Sequence, residues 1–314
     1  MFRINVILNP YAGRGRGVKN QAKISRLFNQ ADVDLTLTET KDIGHGIELA
    51  RAAVMAGYDL VVAAGGDGTI NEVVNGLVQA ARESQIAGRL AILPLGTGND
   101  FADMLQIPRN LDQSVPRIIS ALAENRTRFV DIGIVQITTE HDSYTRYFNN
   151  NVGIGLEAQV TLESYKIKRL RGSLLYIVAA LRTLKKYNPP HMDVKWTDHT
   201  DLYQRLTQPL TLISIGNSAR TGGGFYLTPD AQFDDGWLDI AIADVLSTWQ
   251  ALMLLPKALR GKHIHDPAVT MSRCRDLQLA SHNVFPIHVD GEVITSDARQ
   301  VEIELLPQQL GIVT

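Results

Sequence analysis

The chain has almost no cysteine and no long apolar run. Cys274 is the single cysteine among 314 residues, so no disulfide can form within the chain. The sequence opens on a strand-like segment without the pattern of a signal peptide, and we expect a reducing, cytoplasmic location. No apolar run reaches the roughly 18 residues that a membrane span needs, so any contact with lipid is expected to be peripheral.

The chain also lacks an excess of charge of one sign. Its net charge is −2, which excludes a broad electrostatic attraction to nucleic acid or to an anionic membrane. The histidines show no zinc-ligand spacing with cysteines or carboxylates, and no Gly-x-Ser-x-Gly nucleophile elbow is present. The length predicts about two domains, and the composition is typical of a globular enzyme.

Residues 1–127 alternate between predicted strands and predicted helices. The strands are expected at 4–8, 33–38, 60–64 and 89–93, and the helices at 18–30, 46–56, 71–83 and 111–125. Residues 9–17 are predicted to form a Gly-rich loop. This order indicates an α/β domain with a parallel sheet and helices on both faces.

Residues 128–306 have a different pattern, with short strands and turns rich in Gly, Asp and Asn. The strands are expected at 129–137, 145–152, 192–196, 210–217, 236–243, 269–279, 285–289 and 300–306, with two helices among them. This pattern predicts a second domain that is an antiparallel β-sandwich.

The most informative motif is Gly-Gly-Asp-Gly-Thr at residues 65–69, between a buried strand and a helix. Its glycines let backbone N–H groups approach a ligand, and the start of a helix favours a phosphate. Asp67 would repel that phosphate unless a divalent cation such as Mg²⁺ lies between them. The turn therefore predicts a nucleotide phosphate with a metal, the alternative being glycines that serve packing only.

A second Gly-rich loop, Pro-Leu-Gly-Thr-Gly-Asn-Asp-Phe at residues 94–101, follows its own strand. Two such loops lie where open α/β sheets bind ligands, at the carboxyl ends of parallel strands. The loop at 9–17 either covers phosphates or is a solvated turn. With Glu39 it also suits a dinucleotide-binding fold, but its glycines do not match Gly-x-Gly-x-x-Gly.

Carboxylates stand out twice in the second half of the chain. Residues 288–292 have the sequence His-Val-Asp-Gly-Glu. Asp290 can take a proton from a hydroxyl that attacks a phosphate. The alternative is that Asp290 and Gly291 only form a hairpin turn. Four further aspartates could build an oxygen-rich cation site or flank polar turns. They are Asp230, Asp234, Asp235 and Asp239.

Taken together, these motifs make the chain similar to the soluble bacterial lipid kinases of the diacylglycerol kinase and sphingosine kinase catalytic-domain family. The resemblance rests on residues 65–72, 93–102, 150–155 (Asn-Asn-Val-Gly-Ile-Gly) and 290–292 (Asp-Gly-Glu), in that order along nearly the whole chain. It implies a nucleotide-binding α/β domain of the NAD kinase and diacylglycerol kinase type at residues 1–127. A β-sandwich domain at 128–306 would follow, with residues 307–314 returning to the first domain.

The resemblance also implies that ATP and Mg²⁺ are used to phosphorylate a lipid hydroxyl. Asp290 would be the general base, with Glu292 beside it and Asp67 in the Mg²⁺ network. A second, structural Mg²⁺ would bind the Asp235 side chain and the carbonyls of Gln232 and Trp237. The residues expected to contact ATP are Asn9, Thr40, Gly65, Gly66, Asp67, Gly68, Thr69, Ile70, Asn71 and Thr97. Glu157 stands where relatives often have aspartate, and it is given no role.

A lipid substrate has to be reached by peripheral contact, which we expect at the inner surface of the membrane. Two segments are apolar and then basic: 174–187, with Arg182, Lys185 and Lys186, and 249–262, with Lys257, Arg260 and Lys262. Each is either an interfacial helix or a core helix with a snorkelling basic end. No nucleic-acid partner is expected, and an exposed sheet edge in the first domain would allow a homodimer.

Three other functions remain open at this point. NAD kinases share the Gly-Gly-Asp-Gly-Thr loop and phosphorylate a soluble acceptor. A dinucleotide-dependent oxidoreductase would bind its cofactor at the 9–17 loop and Glu39. A non-catalytic nucleotide- or lipid-binding regulator would need no base, which the presence of Asp67 and Asp290 disfavours.

Overall fold

The computed structural model describes residues 1–84, 88–167, 169–170, 172–184, 186–222 and 224–314. The chain folds as two compact units. The first contains Met1–Asp131 together with Pro307–Thr314, and the second contains Ile132–Leu306.

The first unit is built on a parallel sheet. Its strands are β1 (Phe2–Leu8), β2 (Val33–Glu39), β3 (Leu60–Gly65) and β4 (Arg89–Pro94). They lie in the order β4-β3-β1-β2. The end of the last strand of the chain pairs in parallel with β4 at Gly311 and Ile312. β3 and the inner half of β1 are fully buried, as expected for strands covered on both faces. β2 lies at the end of this order, and the homodimer through a sheet edge stays a prediction.

Among the described residues of this unit, five helices connect or flank these strands: α1 (Ala12–Phe28), α2 (His45–Met55), α3 (Asp67–Ser84), α4 (Asp100–Met104) and α5 (Leu111–Ala123). The prediction that residues 9–17 form only a loop is wrong, because helix α1 already begins at Ala12. Gly13, Arg14 and Gly15 interrupt it with positive φ angles of 56°, 65° and 80°, which explains the loop-like composition.

The second unit is a mainly antiparallel β-structure. Its strands are β5 (Thr127–Thr138), β6 (Ser143–Phe148), β7 (Asn151–Gly155), β8 (His191–Asp198), β9 (Tyr203–Gly216), β10 (Leu238–Asp244), β11 (Val269–Val289) and β12 (Glu292–Val313). The first residues of β5 and the last residues of β12 belong to the first unit. Its helices are α6 (Leu156–Ser164), α7 (Gly172–Leu184) and α8 (Thr248–Ala258), followed by a 3-10 turn at Lys262–His265. Apolar residues of β5 to β12 form one large core.

The α/β plus β-sandwich fold class is confirmed, while three details of the second unit differ from the sequence prediction. Helix α6 was not expected. The predicted strands 269–279 and 285–289 are parts of one long strand, β11, with irregular pairing between them. The predicted strand 145–152 is interrupted at Asn149 and Asn150, because the backbone N–H groups there bind a carboxylate instead of a neighbouring strand.

Across the residues that the structure describes, none of the helices combines the length and the apolar character that a membrane span requires.

Candidate active site

The carboxyl edge of the parallel sheet gathers most of the residues predicted to bind ATP. Asn9 follows β1, Thr40 follows β2, Gly65 ends β3 and Thr97 follows β4. The side-chain amide of Asn9 donates to Thr69 Oγ1 at 3.0 Å, which joins the first strand to the start of α3. Because the strands are parallel and adjacent, residues from four separate sequence segments share one edge.

The two Gly-rich loops contact each other directly at this edge. The backbone N–H groups of Leu95 and Gly96 donate to the Gly65 carbonyl oxygen at 2.7 and 3.0 Å. A Cβ on Gly66 would lie 3.0 Å from Gly96 Cα, so the two backbones pack at a distance that suits glycine. Close packing of the two loops therefore explains why residues 66 and 96 are glycines. For these two positions the alternative holds that the glycines serve packing only.

Gly68 is different, because packing does not explain it. It is exposed in the first turn of α3, and a Cβ built on it would have no protein atom within 4 Å. The first N–H groups of a helix lack acceptors within the helix and attract phosphate. The open space at Gly68, with Thr69, Ile70 and Asn71 buried behind it, is consistent with room for a ligand phosphate.

Asp67 lies against the second loop, in a region rich in carboxylates. Its Oδ1 accepts the Phe101 backbone N–H at 3.3 Å. The pKa of Arg109 is raised chiefly by its hydrogen bond to Asp103 and further by the negative charges of Asp103, Asp100 and Asp67, while burial opposes the rise. These carboxylates form a negative field that suits a hard cation.

Asp67 does not form a complete metal site on its own. Over the described ranges, no group of three or more His, Cys, Asp or Glu side chains is placed to hold a metal ion. Oxygen donors fit Mg²⁺ in type, and Mg²⁺ commonly takes its other ligands from water and substrate phosphates. Asp67 therefore fits a Mg²⁺ that arrives with a nucleotide.

Asp290 forms the tight turn between β11 and β12. Asp290 and Gly291 have φ angles of 48° and 82°, the left-handed pair that an Asp-Gly hairpin turn requires. The carboxylate of Asp290 accepts three backbone N–H groups: those of Asn149 at 3.0 Å, Asn150 at 3.0 Å and Asn151 at 2.8 Å. The prediction that Asp290 and Gly291 form a hairpin turn is therefore correct. A turn alone does not explain why three backbone N–H groups fix the Asp290 carboxylate.

Further polar groups surround this turn. Asn149 Oδ1 and Asn150 Oδ1 are buried and have no hydrogen-bond partner within the part of the chain that the structure describes. Tyr165 Oη donates to the Gly291 carbonyl at 2.9 Å. Glu292 is exposed and contributes to the raised pKa of Tyr165, whose main cause is burial.

The second unit also contains an apolar cavity of about 150 Å³, which the sequence did not reveal. Its walls come from α6, α7, α8 and neighbouring strands. They include Leu184, Leu212, Phe225, Leu254 and Leu255. Gly291 lines the same cavity, so the turn that carries Asp290 lies at its wall. Glu157 and His288 line it too and bind each other at 3.2 Å, a contact between residues 131 positions apart that no local pattern predicts.

The loop of the predicted structural Mg²⁺ lies just before β10. Asp235 Oδ1 accepts the Trp237 backbone N–H at 3.0 Å, and its Oδ2 lies 3.6 Å from Arg273 Nη1. Burial raises the pKa of Asp239 to about 6. The charges of Asp235 and Asp230 add to this rise in pKa, and Arg273 opposes it. The donors are all oxygens in a negative field, which fits Mg²⁺, although Arg273 would have to share Asp235 with the ion. Gln232, Asp235 and Trp237 thus remain predicted ligands.

Comparison with known proteins decides the family. Residues 3–135 match the diacylglycerol kinase catalytic domain, and residues 150–314, more than half of the chain, match the YegS C-terminal NAD kinase beta sandwich-like domain. The diacylglycerol kinase of Bacillus subtilis (strain 168) is 31% identical over 93% of this chain and 90% of its own. The chain belongs to the diacylglycerol kinase-like family of lipid kinases.

A further relative agrees with that assignment, and two solved structures share the fold. A probable YegS-like lipid kinase of Chromohalobacter salexigens is 32% identical over 84% of this chain and 79% of its own. The crystal structure of a diacylglycerol kinase from Bacillus anthracis has the same fold, with a TM-score of 0.70 at 22% identity over 99% of this chain and 96% of its own. Yeast NADH kinase complexed with NADH is a more distant fold relative, with a TM-score of 0.53 at 10% identity over 99% and 82% of the two chains.

Proposed function

We propose that this protein is an ATP- and Mg²⁺-dependent lipid kinase that transfers the γ-phosphate of ATP to a hydroxyl of a lipid such as diacylglycerol. The observation that carries the proposal is the apolar cavity with the Asp290 turn at its wall. An apolar cavity suits an acyl chain, and a positioned carboxylate beside it suits a reacting hydroxyl. Membership of a kinase family implies a nucleotide as the phosphate donor.

ATP would bind at the carboxyl edge of the parallel sheet. The backbone of residues 65–71 would supply N–H donors to its phosphates, and Asn9, Thr40 and Thr97 would line the same edge. Asp67 would hold the Mg²⁺ that accompanies the nucleotide, directly or through water. When bound, that ion would neutralise negative charge on the phosphate oxygens.

Asp290 would act on the lipid hydroxyl. The hydroxyl oxygen forms a bond to the γ-phosphorus, the bond from that phosphorus to ADP breaks, and the hydroxyl proton passes to the Asp290 carboxylate. The three N–H groups that hold this carboxylate fix its orientation before the substrate arrives. Glu292 would assist through its charge, since it is exposed and adjacent in sequence.

Helices α7 and α8 support peripheral access from a membrane. Each lines the cavity, α7 through Ala180 and α8 through Leu254 among others. Each also exposes large apolar side chains, namely Leu174 and Leu181 on α7 and Trp249 and Met253 on α8. Of the basic residues predicted here, Lys185 lies outside the described residues. An amphipathic surface of this kind suits a bilayer interface.

The direct test is a transfer assay with γ-labelled ATP, Mg²⁺ and a panel of lipids in mixed micelles. We expect label in an organic-extractable product, and loss of transfer when EDTA removes the metal. Label in a water-soluble product with NAD as acceptor would instead favour the NAD kinase-like alternative, to which the fold likeness to yeast NADH kinase lends some weight. Tight NAD(P) binding without transfer would favour the oxidoreductase, and ATP binding without any transfer would favour a regulator.

The structural Mg²⁺ at the Asp235 loop has its own test. An ion that binds the folded protein alone raises the unfolding temperature. We expect Mg²⁺ without nucleotide to raise the unfolding temperature of the wild type by about 2–4 °C, and to leave Asp235→Asn unchanged. Asp297→Asn, the same change at an exposed aspartate outside this loop, should keep the response. An equal response in wild type and Asp235→Asn would place the ion elsewhere.

A further inference from the structure

The apolar cavity lies between one face of the β-structure and the helices that pack on it. Strands β9 and β10 contribute Leu212, Ala241 and Ala243 to its wall, and α8 contributes Ala251 and Ala258. The four alanines are at most 6% exposed. The part of the cavity between β10 and α8 is therefore enclosed and is bounded on both sides by methyl groups.

Strand β10 has large side chains on one face and small side chains on the other. Leu238, Ile240 and Ile242 belong to the core of the second unit. Ala241 and Ala243 alternate with them and line the cavity. Protein interiors are close-packed, and unfilled apolar space lowers stability. The two alanines thus keep open a space that the fold alone does not require.

The strand register relates β10 to the turn that carries Asp290. His288 of β11 lies opposite Gly153 of β7. Gly153 lies opposite Ser214 of β9, and Ser214 lies opposite Ala241. Because adjacent strands are about 4.8 Å apart, three strand spacings, or about 14 Å along the sheet, separate His288 from Ala241. Both residues line the cavity, which therefore extends across the sheet from the Asp290 turn to β10.

The 3-10 turn at Lys262–His265 bounds the cavity beyond β10. His263 in this turn is 5% exposed and lines the cavity, and its Nε2 lies 3.0 Å from the Leu227 carbonyl oxygen. Val269, at the start of β11, lies opposite Ala243 and lines the cavity beside it. A chain that extends across the sheet in this direction thus meets a wall.

We propose that Ala241 and Ala243 set the length of the acyl chain that the cavity accepts, so that the enzyme discriminates between diacylglycerols by chain length. This inference rests on the proposed function. One acyl chain would lie across the sheet, with the glycerol part at Asp290 and the methyl end at β10, and the other chain would remain in the bilayer. A chain that is too long would leave methylene groups in water or overlap the wall, and both are unfavourable.

The test uses 1-acyl-2-acetylglycerols, which are diacylglycerols with one long chain, at a fixed mole fraction in mixed micelles with ATP and Mg²⁺. Chains of about 8 to about 18 carbons bracket a distance of about 14 Å at about 1.25 Å per bond. We expect the kcat/KM of wild type to be nearly constant up to a limiting length. Over the next two carbons it should fall by at least about 10-fold, since each methylene group left in water costs roughly 4-fold.

Ala241→Leu is the sharpest variant, because leucine reaches about two carbon–carbon bonds further into the cavity than alanine. The limiting length should become about two carbons shorter. The longest chain that wild type accepts should therefore lose about 10-fold in kcat/KM, while chains of about 8 carbons should stay within about 2-fold of wild type. Filling a cavity should keep or raise the unfolding temperature. Ala241→Val, which suits a strand, should shorten the limit by about one carbon and serves if the leucine variant does not fold.

Ala280→Leu is the matched control for this substitution. Ala280 is on β11, opposite Asp193 of β8, and it is not among the described residues that line the cavity. This variant should keep the limiting length of wild type.

The outcomes separate this inference from the proposed function. If wild type phosphorylates all chain lengths equally, or if a folded Ala241→Leu protein keeps the wild-type limit, the alanines serve the fold and the inference fails while the kinase remains. If no diacylglycerol is labelled at any chain length, the proposed function itself fails, and the inference fails with it.

Discussion

Replacing Asp290 by asparagine should lower kcat for lipid phosphorylation by about 10³-fold, because general base catalysis commonly contributes 10²- to 10⁴-fold. The amide keeps an acceptor for the N–H groups of Asn150 and Asn151 but cannot take the hydroxyl proton. ATP affinity should change by less than about 3-fold, since this turn belongs to the unit without the Gly-rich loops. Steady-state kinetics and an ATP-binding titration measure the two effects separately.

Asp297→Asn is the control for this prediction. Asp297 lies on the same strand, β12, and is exposed, so the same chemical change there should leave kcat within about 2-fold. If Asp290→Asn retained more than about a tenth of the wild-type kcat, another group would have to take the proton, with Glu292 the first to examine.

Replacing Gly68 by alanine should weaken ATP binding by about 10- to 100-fold without destabilising the protein. A Cβ at Gly68 meets no protein atom within 4 Å, and alanine is the better helix former by about 1 kcal/mol. The unfolding temperature should therefore stay the same or rise. The new methyl group would occupy the space in front of the first turn of α3, and each lost hydrogen bond to a charged phosphate is worth about 1.5–3 kcal/mol.

Gly96→Ala is the informative comparison for Gly68→Ala. Its Cβ would overlap Gly66 Cα and lie 2.6 Å from the Gly98 carbonyl oxygen, so this variant should lose stability as well as ATP affinity. The contrast separates a glycine needed by the fold from a glycine needed by the ligand. Normal ATP affinity in a stable Gly68→Ala protein would argue against a phosphate at α3.

The local sequence predicted the strands of the first unit well. Apolar strands 4–8 and 60–64 and the two Gly-rich loops indicated a parallel sheet with a ligand edge, because strand periodicity and turn chemistry are local properties. The start of α1 was missed because Gly13 and Gly15 resemble a loop, and with Arg14 they have left-handed backbone angles in the first turn of the helix. Single glycines are ambiguous in this way, since they permit a break without specifying where the helix resumes.

The second unit was less predictable around Asp290 and Glu157. Asp290 was identified from its motif, but the three N–H groups that orient it come from residues about 140 positions away, where a predicted continuous strand is interrupted. Helix α6 was missed, and with it the position of Glu157. Its amphipathic periodicity is weak because it packs on several sides, against α7, β7, β9 and β11.

The sequence by itself indicated the class of chemistry through glycines and carboxylates in a set order. These motifs predict an α/β unit that binds a nucleotide and a carboxylate, Asp290, that acts as a base in a β-rich unit. The tertiary structure decided which groups share a wall of the cavity. Antiparallel pairing of β7 with β11 sets Gly153 opposite His288, and that pairing brings Glu157, His288 and the Asp290 turn together. Such contacts depend on strand register and on burial away from water, and neither is encoded in any short stretch of the chain.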